Sequence, residues 1–171
     1  MPEFSLPPYT YTPGRTPHPI SDPDGHSFGR HESPVARFEP ARWTECEPYV
    51  RGIRLFNRGY YWEAHEAWEA VWHAVGRSGA IGDFLKGLIK WAAAGVKLRE
   101  GRPAGAMRHL HRATELLRSA RGAVAAPDHV AGQDIGKLLT RLDSVRLKRL
   151  DAPAAKDGGP AVFWEGMLRE P

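Results

Sequence analysis

Cysteine is almost missing from this chain of 171 residues; Cys46 is the only one. A lone thiol excludes an intramolecular disulfide and a thiolate metal cluster, and it fits a reducing compartment. Long apolar runs are also missing, so no stretch reads as a membrane span. The opening MPEFSLPPYTYTPG is broken by prolines and lacks the basic-then-apolar pattern of a secretory leader. The expectation is a soluble, cytoplasmic protein. Sustained alternation of apolar and polar residues is lacking, and β-branched residues are sparse, which argues against sheet. The chain has no P-loop, no dinucleotide fingerprint and no G-x-S-x-G elbow, and no histidine neighbours Cys46 in sequence. Nucleotide-dependent and nucleophilic catalysis therefore find no support. Charge of one sign never accumulates. The net charge is +4 and the sequence pI about 9.4, yet lysines and arginines are interleaved with acids. Even RLDSVRLKRL, the most basic stretch, reads as the solvated face of an amphipathic helix, so no nucleic-acid partner is expected. Partners are otherwise unassigned, and homo-oligomerisation is left open.

Proline, by contrast, is concentrated. Residues 1–40 hold nine of the fifteen prolines, which forbids a helix there and leaves extended or turning backbone. This arm also carries His18 and His26, on either side of the turn-forming DPDG, and apolar residues including Phe4, Leu6, Tyr9 and Tyr11 that can clip it to a folded body. Residues 41–150 change character and read as a helical domain, with 151–171 as a tail. Pro48 opens a first helix through Phe56, which Gly59 ends. A second helix covers Tyr61 to Val75, with Gly76 and Gly79 beyond it. A third, Ile81 to Arg99, is apolar over so wide an arc that neighbours must surround it. Arg99 falls on its apolar side, which places it near a carboxylate. A fourth begins at Pro103, with Gly122 past its end, and a last one runs from about Gln133 to Leu150. KDGGP makes the tail flexible, and Phe163, Trp164, Met167 and Leu168 form a short docking segment. The fold expected is an all-α, single-domain bundle of about five helices around a central apolar helix, with a Pro-rich irregular N-terminal arm.

Chemistry concentrates in FNRGYYWEAHEAWEAVW, residues 56–72. On the second helix Tyr61, Ala64, Trp68, Val71, Trp72 and Val75 gather on one apolar face, and Trp62, Glu66, Glu69 and His73 on the other. His65 falls at the border, where a side chain can be held by the core and still reach a cleft. His65 and Glu69 stand one helical turn apart. In one use the carboxylate merely fixes the imidazole. In the other both groups coordinate a divalent metal ion, with Trp72 packed alongside; zinc, iron, manganese and nickel accept such a mixed nitrogen and oxygen set. Two protein ligands are too few for a tight site, so His18, His26 and Glu66 are the candidates for the rest. HEAWE is close to the zinc-protease string H-E-x-x-H, but Glu69 replaces the second histidine and removes a ligand. The alternative is an interaction scaffold. LFNRGYYWEAHEAWEAVW loosely resembles a tetratricopeptide hairpin, but no repeat near 34 residues recurs. In that reading the His65 and Glu69 pair is structural.

Two strings together carry a likeness to a family. His65, Glu69 and Trp72 match an H-x-x-x-E-x-x-W string, and Gly87, Leu88, Ile89 and Ala92 to Ala94 match a following G-L-I and alanine-rich helix. The chain thereby resembles the bacterial and archaeal domain-of-unknown-function family 309 over roughly residues 1–120, most densely over 52–113. The arm looks like the extension found in longer members. The resemblance implies an all-helical bundle with no established activity, and metal binding at the H-x-x-x-E-x-x-W string.

Overall fold

The computed structural model describes residues 4–30, 34–35, 37–123, 129–147, 159–164 and 166–171. A 3-10 helix, Pro40–Glu45, leads into α1 (Glu47–Asn57), α2 (Tyr61–Ala74), α3 (Gly79–Arg99) and α4 (Pro103–Ala123). A minimal antiparallel hairpin follows, β1 (His129–Val130) with β2 (Gln133–Asp134), and α5 (Ile135–Leu147) closes the order. The fold is an all-α bundle with a Pro-containing N-terminal segment. The expected start of the last helix at Gln133 gives way to the hairpin, whose turn places Ala131 and Gly132 at positive φ. The expected helix end at Leu150, and most of the KDGGP stretch, lie outside the described residues. Among those residues, no helix is long and apolar enough to cross a membrane.

The helix boundaries have local causes. Pro48 lies in the first turn of α1, where its missing N–H costs nothing. Gly59 lies in the middle of the α1–α2 link at φ +82°, and a Cβ there would press on the Ala161 carbonyl of the tail at 2.8 Å. The α3 helix is the centre of the bundle, with Phe84, Leu85, Leu88, Ile89, Trp91 and Ala92 all buried. It packs on α2 on one side and α4 on the other. Gly95 lets α2 come close, because a Cβ there would overlap the Tyr61 ring.

The aromatic core brings distant segments together. Phe56, Tyr61 and Trp91 meet Trp164 of the tail at centroid distances of 5.8, 5.2 and 6.0 Å. The Phe163 ring stacks on Tyr61, whose hydroxyl accepts the Phe163 N–H at 2.8 Å. Trp164 and Leu168 are buried, and Asn57 bonds the Leu168 backbone in both directions. The tail thus docks through the residues whose apolar character marked it.

Candidate functional site

The α2 helix presents two polar clusters, one facing α3 and one facing the arm. In the first, ligand atoms of His65, Glu66 and Glu69 lie within 4.8 Å of one another. His65 Nε2 is 3.5 Å from Glu69 Oε2, the approach expected of an i, i+4 pair. All three side chains are partly buried. Burial pulls the His65 imidazole below its ordinary pKa; the Glu69 charge pushes back, and the Lys86 and Lys90 ammoniums add to the lowering. The ring is therefore held toward its neutral form, with a lone pair to donate. The Ile89 backbone of α3 acts on the ring in the opposite sense to burial.

Lys86 of α3 reaches back toward the same group. Its Nζ is 3.9 Å from Glu69 Oε1 and 3.7 Å from the Trp72 ring centroid, a cation–π contact. Burial lowers the Lys86 pKa and the Glu69 charge raises it. Trp72 is partly buried, and its indole Nε1 has no hydrogen-bond partner among the described residues. The string therefore supplies three donors to one spot and an aromatic wall beside them, while a lysine competes for one of the carboxylates.

The second cluster is centred on Glu63, which the sequence reading did not single out. Its carboxylate is buried and accepts from Thr10 Oγ1 at 2.7 Å and from the Tyr11 N–H at 2.8 Å. His26 Nε2 is 3.2 Å from the same carboxylate. Behind it lies Arg99, fully buried, whose Nε donates to Thr12 Oγ1 at 3.1 Å. Burial lowers the Arg99 pKa, and Glu63 is the largest charge that opposes this. Its two terminal nitrogens have no hydrogen-bond partner among the described residues. The expectation that Arg99 lies near a carboxylate holds, and the carboxylate is Glu63.

The arm histidines are placed accordingly. His26 spends Nε2 on Glu63 and Nδ1 on Ser27 Oγ at 3.0 Å, so neither nitrogen is open to a cation shared with His65. His18 turns Nδ1 to the Ile20 and Ser21 amides at 3.2 and 3.3 Å, and packs its ring edge-on to Trp62 at 5.4 Å. Both lie at α2, but neither joins His65; the arm is tied to the Glu63 side of the helix instead. Of the proposed additional ligands, Glu66 is the one that the structure brings to His65 and Glu69. Glu63 had one signal in the sequence. It lies one turn before Ala67, on a strip of small residues that lets another segment come close.

Residues 49–109 match the model of a domain of unknown function, DUF309, and that segment of the chain is a domain of this family. It spans α1 to the first part of α4, and so contains both clusters on α2 but not the arm that reaches Glu63. No curated protein and no solved structure matches the chain.

Proposed function

We propose that the His65, Glu66 and Glu69 group binds a divalent cation. The observation that carries this reading is the convergence of one imidazole nitrogen and two carboxylates within 4.8 Å. The donor set suits zinc, iron, manganese or nickel better than calcium or magnesium, which take oxygen alone. Three protein ligands leave positions for water or a substrate group, as in open metal sites. His65, kept neutral by burial, donates its nitrogen; Glu66 and Glu69 neutralise the ion; Trp72 shields one side. A bound cation displaces the Lys86 ammonium from Glu69.

A second reading rests on that same lysine. Glu69, Lys86 and Trp72 form a chain of contacts between α2 and α3 without any ion, and a helical scaffold needs no more than that. The two readings part on one experiment. Elemental analysis of protein purified without chelators should find close to one divalent ion per chain in wild type and none in His65→Ala. Absence of metal from both, with lowered stability in the variant, would establish the scaffold instead.

A further inference from the structure

The arm meets α2 at Glu63 through hydrogen bonds and at Trp62 through the Tyr11 and His18 rings. Between the arm, α1 and α2 a cavity of about 920 Å³ remains, within the range of sites that enclose small organic ligands. Trp62, Ala67 and Ala70 of α2 and Ile20 of the arm give it apolar walls. Its acids are largely committed. Glu63 is taken by Thr10, Tyr11 and His26, Glu45 by Arg42, and Glu66 stands with His65 and Glu69. Glu47 stands in the first turn of α1, where the helix dipole favours its negative charge. Of the basic residues, Arg37 is paired with Glu39. Arg30 of the arm and the partly buried Arg51 of α1 also line the cavity, and neither side chain has a partner among the described residues. Arg30 and Arg51 thus bring positive charge from both walls, with the exposed Glu47 carboxylate at the N-terminal end of α1 beside them.

We propose that this cavity binds a small organic anion with an apolar body, its acidic group held by Arg51 and its body laid against Trp62 and Ala67. A guanidinium in a partly dry wall is suited to bidentate capture of a carboxylate or sulfonate. Trp62 is pre-positioned by edge contacts with Tyr11 and His18 at 5.3 and 5.4 Å, so little ordering is needed on binding. The proposal is independent of the cation reading, although the two sites meet at Glu66.

Two probes separate charge from shape: 8-anilinonaphthalene-1-sulfonate, and N-phenyl-1-naphthylamine, the same ring system without the sulfonate. Both are titrated by fluorescence in EDTA against folded wild type, Arg51→Gln and Arg51→Lys, with circular dichroism confirming the fold of each variant. The sulfonate should bind wild type at one site and weaken about tenfold or more in Arg51→Gln, the loss of one charge-assisted contact. Arg51→Lys should recover part of that affinity, and the neutral probe should be nearly indifferent to both changes. No saturable binding of the sulfonate, or equal weakening of both probes, would overturn the proposal.

Discussion

Replacing Glu63 by glutamine keeps the shape of the arm's anchor and removes its charge. Three donors converge on this carboxylate, from Thr10, Tyr11 and His26. Glutamine retains one acceptor oxygen, which must go to the Tyr11 N–H because a backbone amide cannot reverse its role. His26 shares that oxygen and can still donate to it, and the Thr10 hydroxyl, on the other oxygen, can turn to accept from the new amide, but every bond loses its charge assistance, worth roughly 1 kcal/mol each. Arg99 meanwhile loses the nearest opposing charge while staying buried. The three weakened bonds and the uncompensated burial of Arg99 together cost about 3–5 kcal/mol. With a urea dependence of about 2 kcal/mol per molar, the unfolding midpoint should fall by about 1.5–2.5 M. Hydrogen exchange should show the Tyr11 amide and its neighbours losing protection before the helices do. Adding Arg99→Met to Glu63→Gln should recover about 1–2 kcal/mol, since an apolar side chain no longer leaves a buried charge uncompensated. A loss below about 1 kcal/mol with the arm still protected would refute the reasoning that Glu63 anchors it.

Stability should also depend on pH in a set direction. His65 and His109 both bind protons more weakly in the fold than at their ordinary pKa of 6.5, chiefly because of burial. The unfolded chain therefore takes up more protons as pH falls through that value. Stability should be full above it and decline below it, and His65→Gln should remove part of the slope in thermal unfolding. A slope of opposite sign, or one unchanged in the variant, would contradict the burial argument. Gly95→Ala should destabilise by about 1–3 kcal/mol in urea despite the better helix propensity of alanine. The reason is that Tyr61, which a Cβ would strike, is boxed in by Phe56, Phe163 and Trp164. A stabilised variant would show that the ring can move.

How much of this was legible depended on whether its cause was local. The α1 to α4 helices are written in apolar residues at helical spacing, bounded by Gly59, Gly76, Gly101 and Pro103, so their extents could be read closely. His65 at the edge of the apolar face could be read the same way, and its side chain is indeed partly exposed. Arg99 on an apolar face announced a hidden carboxylate, but which one depended on tertiary packing. The β1–β2 hairpin was invisible because two-residue strands have no period to detect, and Ala131 gives little sign of a positive φ. The arm was the hardest part. Its anchor needs Glu63 and donors 37 to 53 positions away, and no local pattern links them. Its histidines drew attention as ligands, yet the α2 carboxylate that His26 meets is Glu63, not Glu69.

The central claim is that His65, Glu66 and Glu69 form a cation site, and it rests on one titration. Wild type and His65→Ala, both stripped of metal and confirmed folded, are titrated calorimetrically with zinc and with manganese above pH 7, where the imidazole is neutral. The account predicts one site per chain in wild type, lost in the variant, with heat that grows when Lys86→Met removes the competing ammonium. Wild type that takes up neither ion, or a variant that binds as wild type does, would contradict it.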